Sequence, residues 1–322
     1  MTTAPMPSIS VVIPALNAAN VIEDCLVAIF AQEYDGPLDV TVAIGPSSDG
    51  TEELLERLAT YEPRLQIVEN PNGHTPTALN LAIEASDGQI VARVDAQSVL
   101  PAGYLHQAVA TLQRTGAANV GGAQYPVGDV GMQRIIAFAM RSPFGAGPAN
   151  FRGHGSGGPT DTVYLGTFTR QALEAVGGYD ESLIRNQDYE LNWRLRQAGL
   201  VVWFDPSLEV DYWPRPTLKK LALQYFQYGA WKRRVLWRNP RSLRLRQLAA
   251  PGLVLGLLGS GPCVFFEYRL SLLVPILYLA ALLAGSIKER ELNKPKEKLA
   301  LITAFAVMHL AWGWGFLTKK LD

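Results

Sequence analysis

The chain has 322 residues, 48% of them hydrophobic, and a formal net charge of +0. This length allows one large α/β domain with an appendage, because single hydrophobic cores stop growing at about 250–300 residues. With two cysteines in the whole chain, a disulfide scaffold and a cysteine-based zinc site are excluded.

The neutral total conceals a division of charge along the chain. Residues 1–218 carry 12 Arg, no Lys and 24 acidic residues, whereas residues 219–322 carry 17 Lys or Arg and 5 acidic residues. The two parts therefore have net charges of −12 and +12. This asymmetry indicates an acidic soluble domain joined to a basic segment that faces an anionic partner, either membrane lipid or nucleic acid.

The first half alternates apolar strands with amphipathic helices, which is typical of a mostly parallel sheet covered by helices. The predicted strands are Ser10–Ile13, Val40–Ile44, Gln66–Val68 and Ile90–Val94. The predicted helices begin at Val21, Thr51, Pro76 and Tyr104, and Asn20 is the expected N-cap of the first. The pattern predicts an α/β, Rossmann-like nucleotide-binding domain.

The alternation stops between Tyr125 and Asp161, where Gly and Pro are frequent, and we predict a mobile loop bordering the site. Regular structure is expected again as a strand near Val163–Phe168 and a helix near Gln171–Val176. A longer helix is expected from Tyr189 to Ala198, ended by Gly199.

Beyond residue 217 the helical spacing of apolar and aromatic side chains predicts an amphipathic helix. One face carries Leu218, Leu221, Ala222, Tyr225 and Tyr228. We interpret residues 218–247 as basic helices at a membrane interface, with packing against the soluble domain as the alternative.

Three uncharged apolar runs follow, each near the roughly 20 residues that cross a bilayer. They are Leu248–Phe266, Leu270–Ile287 and Leu299–Leu317. We predict a transmembrane region over residues 248–322 with three crossings, or two, and keep buried core helices of a soluble protein as the alternative. Basic clusters within Lys232–Arg246 and Lys288–Lys298 belong in the cytoplasm by the positive-inside rule.

These features predict a multi-pass protein of the inner cell membrane. No signal peptide precedes the first predicted strand, so the domain over residues 1–217 is expected in the cytoplasm. Membrane lipid is the expected anionic partner, and nucleic acid is not. In the third apolar run, His309 is predicted to be a neutral histidine bonded to a neighbouring helix.

Ligands of parallel α/β sheets bind at the carboxyl ends of the strands. Here those ends are Pro14–Asn17, Gly45–Asp49 and Asp95–Ser98. Asp95 follows an apolar strand, where a carboxylate can bind a divalent cation that neutralises a diphosphate. The alternative for Asp95 is a hydrogen bond to the backbone of the following turn.

Six ordered segments carry a resemblance to a known family. They are VVIPALNAANVIEDCL, SSDGT, PTALNLAI, VDAQS, VGGYDESL and NQDYELNWRLRQAG. In order and spacing, residues 8–215 resemble the family 2 glycosyltransferases of the GT-A fold. RSPFGAG, DTVYLGTF and QYFQYGAWK extend the similarity to the succinoglycan-biosynthesis type of these enzymes.

The resemblance implies a nucleotide-diphosphate sugar as donor, a UDP-sugar first, with Mg²⁺ or Mn²⁺. It implies a nucleotide site formed by Pro14, Ala15, Asn17, Asp49, Asn80 and Asp95. Asp95 would bind the metal and the diphosphate, with Gln97 as a second candidate metal ligand. Asp188 would be the general base of an inverting single displacement, and its location near a helix start favours its ionised form. The alternative for Asp188 is an N-cap.

Three departures from the family pattern bear on function. Gln97 stands where a second acidic metal ligand is usual, which predicts weaker metal binding. Ile44-Gly45-Pro46 replaces the acid that pairs with uracil in many members, which leaves the donor base open. The processive Gln-x-x-Arg-Trp motif is interrupted, because Ala230 precedes Trp231, so we predict transfer of one sugar per encounter.

The expected acceptor is lipid-linked or delivered at the membrane, and an oligomer is possible. His154, in the Gly-rich segment, is a candidate acceptor contact or a solvent-exposed residue. A catalytically silent homologue that binds a nucleotide sugar as a scaffold in a membrane assembly is the competing hypothesis.

Overall fold

The computed structural model describes residues 5–147, 156–265 and 269–318. Within them one eight-stranded sheet forms. Its strands are β1 Ile9–Ala15, β2 Leu38–Ile44, β3 Leu65–Glu69, β4 Ile90–Arg93, β5 Asn119–Pro126, β6 Gly158–Pro159, β7 Tyr164–Thr169 and β8 Val202–Tyr212. Their order across the sheet is β3-β2-β1-β4-β7-β5-β8-β6.

The helices of the first part of the chain are α1 Ile22–Phe30, α2 Thr51–Ala59, α3 Thr75–Glu84, α4 Tyr104–Thr115, α5 Gly131–Arg141, α6 Pro143–Ala146, α7 Arg170–Val176 and α8 Gln187–Gln197. Helices α1 to α4 alternate with the first strands, and two pairs of helices follow later. The later helices are α9 Leu218–Arg238, α10 Ala249–Phe265, α11 Leu273–Lys288 and α12 Pro295–Thr318.

The sheet is parallel on one side and antiparallel on the other. β1 pairs in parallel with β2 and β4, and β2 pairs in parallel with β3. β7 runs antiparallel to β4 and to β5. The first strands pair in parallel because the helix after each strand returns the chain to the end of the sheet where that strand began, as the alternating pattern predicts.

The chain divides into two compact units. Unit 1 comprises the described residues of Met1–Gln124 and Gly153–Asp211, and unit 2 those of Tyr125–Arg152 and Tyr212–Asp322. The core of unit 1 lies on both faces of the sheet, with β1 side chains alternating between two apolar clusters: Val11 and Ile13 belong to one, Val12 to the other. Cys25 is buried in this core as a free thiol.

Three predicted helix starts are wrong by one or two residues, among them that of α3, which begins at Thr75 and not at Pro76. α1 has Val21 at its N-cap, with no side-chain hydrogen bond to the helix, so Asn20 does not cap it. α8 begins at Gln187, with Asn186 at the N-cap in a left-handed conformation. Asp188 therefore lies inside the first turn of α8, and the alternative that made Asp188 the cap is wrong.

The predicted loop over Tyr125–Asp161 contains regular structure. β5 extends to Pro126, and α5 and α6 occupy much of residues 131–146. α5 forms because its apolar side chains pack inside unit 2, where Ile136 and Met140 are fully buried. His154 lies outside the described residues.

In unit 2 the predicted apolar stripe of α9 is buried by protein. Leu221 and Tyr225 join a cluster with Leu301 and Phe305 of α12. The C-terminal helix therefore covers part of this stripe, and the location of residues 218–247 at a membrane interface stays a prediction. His309 of α12 contacts the Tyr278 hydroxyl and the Gly145 carbonyl, as predicted for a histidine bonded to a neighbouring helix.

Of the described helices, α12 alone is long and apolar enough to cross a membrane, and 33% of its apolar stretch is buried within the protein. α11 is apolar but has 16 residues, and α10 has 17. The predicted multi-pass arrangement is therefore not supported. One candidate span remains.

Candidate active site

The loops after β1 and β2 are tied to one another by polar side chains. The Asn17 Oδ1 accepts a hydrogen bond of 2.9 Å from the Ser48 backbone N–H. In return the Asn17 backbone N–H donates to the Ser47 Oγ at 3.0 Å. Asn17 holds φ 49, a left-handed conformation that Asn tolerates better than most residues.

Asp49 fastens the same two loops at a second point. Its Oδ2 accepts from the Ala19 backbone N–H at 3.0 Å, and its Oδ1 from the Thr51 hydroxyl at 2.5 Å. The hydrogen bond from the Thr51 hydroxyl is the largest factor that lowers the pKa of Asp49. The ionised Asp49 therefore holds the loop after β1 against the loop after β2. Pro14 and Ala15 lie alongside Ala43 and Ile44 on the paired strands below it.

The end of β4 lies beside the end of β1. Arg93 pairs in register with Val12, and the Val94 backbone N–H donates to the Val12 carbonyl at 3.1 Å. Asp95 thus leaves the sheet next to the end of β1 and the loop that follows Ala15. The strand ends predicted to share one crevice are neighbours in the sheet.

Arg93 joins the two predicted catalytic carboxylates. Its Nε and Nη2 donate to the Asp95 Oδ1 at 3.0 and 2.8 Å. Its Nη1 donates to the Asp188 Oδ1. Residues 95 and 188 therefore converge, although α8 follows β4 by more than ninety residues.

Both carboxylates remain accessible to a ligand, whereas the arginine between them is not. The exposed fractions of the side chains are 9% for Arg93, 19% for Asp95 and 41% for Asp188. Burial raises the pKa of Asp188 above its ordinary value of 3.8, Arg93 opposes this rise, and Asp95 adds to it. Because Asp188 is partly exposed, solvent moderates all three effects.

The turn before α8 is held against α3. The Asn80 Oδ1 accepts from the Tyr179 backbone N–H, while the Asn80 Nδ2 donates to the Tyr179 carbonyl and to Glu181, each at 2.9 Å. Asn80 is thereby committed to Tyr179 and Glu181. Gly178 precedes them with φ +69 and leaves no room for a side chain, since an added Cβ would lie 2.8 Å from the Asn80 Oδ1.

Comparisons with known proteins agree with this arrangement. The sequence model of Glycosyl transferase family 2 matches residues 10–177. The succinoglycan biosynthesis protein ExoA of Rhizobium meliloti (strain 1021) is 32% identical over 315 residues, which are 97% of this chain and 94% of the relative. The chain belongs to glycosyltransferase family 2. It is a glycosyltransferase, and the predicted resemblance to the succinoglycan-biosynthesis type is confirmed.

A second relative and a solved structure extend the comparison. A Methanococcus voltae enzyme named dolichyl N-acetyl-alpha-D-glucosaminyl phosphate 3-beta-D-2,3-diacetamido-2,3-dideoxy-beta-D-glucuronosyltransferase is 26% identical, covering 70% of this chain and 73% of the relative. The mannosyltransferase PcManGT of Pyrobaculum calidifontis, solved with GDP-Man and Mn²⁺, superposes with a TM-score of 0.61 at 20% identity, covering 95% of this chain and 89% of that one. The predicted GT-A fold is confirmed.

The metal ligands implied by family 2 fit this chain in part. The Asp95 Oδ2 accepts no hydrogen bond from the described residues, and Gln97 beside it is exposed. The described residues contain no group of three or more His, Cys, Asp or Glu side chains that could hold a metal ion. One carboxylate with a neutral amide suits a cation whose other ligands are substrate phosphates and water, as is common for Mg²⁺.

Two residues beside the carboxylates were not predicted from the sequence. Arg93 directly precedes the segment VDAQS, and Tyr179 is buried with its hydroxyl in electrostatic contact with Arg93. A signal existed for Arg93: a charged side chain in an otherwise apolar central strand is rare unless it is paired.

A further ion pair beside the site joins Glu190 and Arg194 at i,i+4 spacing on α8. This spacing is typical of surface pairs, but the side chain of Glu190 is 5% exposed. Arg194 also donates to the carbonyls of Val176 and Gly178. The pair therefore fixes α8 to the turn that carries Tyr179.

Proposed function

We propose that this glycosyltransferase moves one sugar from a nucleotide-diphosphate sugar to a hydroxyl of a lipid-linked or membrane-delivered acceptor, with inversion at the anomeric carbon. The product would be an intermediate of polysaccharide or glycolipid assembly. The name of ExoA, a succinoglycan biosynthesis protein, supports a product of polysaccharide assembly. The dolichyl phosphate in the name of the Methanococcus enzyme supports a lipid-linked acceptor.

The juxtaposition of Asp95 and Asp188 on Arg93 carries the proposal. An inverting transfer needs a base on the acceptor side of the anomeric carbon and charge neutralisation on the diphosphate side. Asp188 can supply the base, and Asp95 can hold the cation that neutralises the diphosphate, within a single crevice.

In the proposed step the acceptor oxygen attacks the anomeric carbon while Asp188 takes the proton of the acceptor hydroxyl. The bond between the anomeric carbon and the diphosphate oxygen breaks, and its electron pair leaves with the nucleoside diphosphate. A divalent cation, when bound at Asp95 with Gln97 beside it, supplies positive charge to that leaving group. Asp188 afterwards loses its proton to solvent, which its 41% exposure permits.

The loops after β1 and β2 form the proposed nucleotide site. Asn17 and Asp49 fix the loop backbone, and Pro14 and Ala15 give the floor, while Asn80 supports the site from α3. A UDP-sugar is the first donor to test. Because Gly45 supplies no carboxylate for uracil and PcManGT was solved with GDP-Man, a GDP-sugar is the second.

A broad test uses purified full-length protein, a panel of nucleotide sugars, and Mg²⁺ or Mn²⁺. We expect release of nucleoside diphosphate from one donor, and a loss of about 10²–10⁴-fold in the Asp188→Asn variant, the range for a general base. Donor binding should persist in that variant. Asp87→Asn, an exposed acid beside the amino end of β4, is the matched control and should keep full activity.

A second candidate function is a scaffold that binds a nucleotide sugar without turnover. The neutral Gln97 and the neutralisation of both carboxylates by Arg93 favour it. Calorimetry distinguishes the two candidates. Donor binding that is independent of metal, with no turnover over a broad acceptor panel, would establish the scaffold and refute the transferase.

A further inference from the structure

Arg93 is unusual for its place in the fold. It is the last residue of β4, a central strand whose other residues are apolar, and it is 8% exposed. A buried guanidinium is costly unless it is paired and hydrogen-bonded. Three of its nitrogen atoms, Nε, Nη1 and Nη2, donate to carboxylates, and both carboxylates belong to the proposed catalytic pair.

The two carboxylates come from different elements of unit 1. Asp95 is on the turn after β4, whereas Asp188 is in the first turn of α8. Two anionic groups in such proximity repel each other, and Asp95 indeed adds to the cost of ionising Asp188. A planar guanidinium can hold both at a set angle, because its N–H groups point in fixed directions.

We propose that Arg93 is a positioning residue that fixes the carboxylate of Asp188 relative to Asp95, so that the base faces the acceptor hydroxyl when the donor is bound. This inference rests on the proposed transferase function. Arg93 acts through Asp188 and does not itself exchange a proton, since it stays protonated with a pKa held high by Asp188 and Asp95 despite its burial.

The neighbouring tyrosine supports a built network around this arginine. Tyr179 is 3% exposed, and Arg93, Asp188 and Asp95 all act on its hydroxyl electrostatically. Burial raises the pKa of Tyr179, so the hydroxyl stays neutral. The positive charge of Arg93 is therefore left to the two carboxylates.

The test compares Arg93→Ala and Arg93→Lys with the wild-type full chain in the same donor and acceptor assay. Misplacement of a catalytic group by about 1 Å costs on the order of 10²-fold, so we expect kcat of Arg93→Ala to fall by about that factor. Nucleoside diphosphate affinity, measured by calorimetry, should change by less than about threefold, because Asp95 and the loops remain. Arg93→Lys keeps the positive charge but lacks the planar guanidinium, so its kcat should lie between those of the wild type and Arg93→Ala.

Chemical rescue separates positioning from a general structural role. Free guanidinium, at concentrations that do not denature the protein, should raise kcat of Arg93→Ala by about tenfold or more, because it can refill the space between the carboxylates. The matched control is Arg170→Ala. Arg170 is a half-buried arginine that donates to the carbonyls of Ile83 and Gly88 at the opposite end of β4, and guanidinium should not change its kcat.

Several results would overturn the positioning role of Arg93. One is a folded Arg93→Ala protein with wild-type kcat. If that protein also binds nucleoside diphosphate more weakly, Arg93 is a diphosphate ligand. Failure of guanidinium to rescue a protein with the wild-type melting temperature also overturns it. If Arg93→Ala does not fold, wild-type kcat in Arg93→Lys overturns it. A wild-type chain that turns over no donor removes the proposed function itself, which is a distinct result.

Discussion

The acidic limb of the pH profile should report the ionisation of Asp188. A general base works only when it is deprotonated, so activity rises as pH passes upward through its pKa. Burial raises the pKa of Asp188, with a contribution from Asp95 in the same direction, while Arg93 opposes both. As the pH is lowered, we therefore expect kcat/KM to fall with a midpoint above the ordinary aspartate pKa of 3.8.

The measurement is kcat/KM for the donor against pH, since this ratio reflects groups of the free enzyme. Asp87→Asn serves as the control and should reproduce the wild-type limb, because Asp87 is exposed beside the amino end of β4. A profile that stays flat down to the ordinary aspartate range would mean that Asp188 is not the base.

Asp95 and Asp188 were predicted as site residues because each lies in a segment that resembles family 2, and the structure brings the two together on Arg93. Arg93 was not predicted, because its function depends on a contact across 95 residues of chain, and no local pattern encodes that contact. The same limit applies to Glu190, whose burial by the turn at Gly178 made a surface ion pair into an internal one.

Among the elements, α8 should depend strongly on the internal ion pair of Glu190 and Arg194. Arg194→Met leaves the carboxylate of Glu190 buried and removes donors from the carbonyls of Val176 and Gly178. Removing one partner of a buried pair costs roughly 3–5 kcal/mol. Because 23% of the Arg194 side chain is exposed, we expect about 3 kcal/mol, measured by denaturant unfolding.

The matched control is the exposed ion pair of Arg64 and Glu62. In that pair 44% of the Arg64 side chain is exposed, and Arg64→Met should cost at most about 1 kcal/mol. The double variant Glu190→Gln/Arg194→Met should recover part of the loss, because no buried charge remains. Equal costs for Arg194→Met and Arg64→Met would show that the internal pair contributes no more than a surface one.

The contact of α9 with α12 depends on two glycines. A Cβ at Gly229 would lie 2.0 Å from the Trp312 carbonyl oxygen, and one at Gly315 would lie 2.1 Å from that of Phe226. Backbone must shift to admit either methyl group. We expect Gly229→Ala and Gly315→Ala to destabilise the protein by roughly 1–3 kcal/mol, the usual cost of overpacking, with a lower melting temperature in detergent.

Gly252 of α10 is the control for these substitutions. An added Cβ there meets nothing within 4 Å. Gly252→Ala should be neutral or stabilising by up to about 1 kcal/mol, since alanine is the better helix former. If the Gly229 and Gly252 variants melt at the same temperature, α9 and α12 are not packed as closely as described.

Elements determined by a local sequence pattern could be predicted, whereas an element whose packing partner lies far along the chain could not. α2 and α4 begin at the predicted residues, Thr51 and Tyr104, because a local pattern of turn and amphipathic helix determines them. α5 was predicted as loop, since its flanking glycines suggest flexibility and the helix α12 that buries its apolar side chains is far along the chain. The predicted domain bounds at residues 217 and 247 are tested by none of these elements.

At the scale of the whole molecule, unit 2 shows an extensive apolar surface to solvent. On α10 and α11 the exposed large apolar side chains include Leu255, Leu258, Leu273, Ile276, Leu277 and Ile287. Large contiguous apolar patches on a protein surface mark interaction sites with protein or membrane. The part of the chain beyond residue 218 also carries 17 of its 29 Lys and Arg residues, which suits an anionic lipid surface.

We therefore expect the full chain to float with liposomes that contain anionic lipid and to resist extraction by high salt. Leu277, 65% exposed, tests this directly, because a charge placed in the bilayer core costs about 2.5–3.5 kcal/mol. Leu277→Glu should weaken flotation markedly and leave nucleotide binding unchanged. Tyr61→Glu, at an 84% exposed position of unit 1, should float like the wild type.

If the wild-type chain is instead recovered without detergent as a stable soluble oligomer that Leu277→Glu dissociates, a second copy covers the apolar face, and membrane binding is wrong. Salt distinguishes the forces involved: retention that vanishes at high ionic strength reflects the basic residues alone, because salt screens exposed charges but strengthens apolar burial.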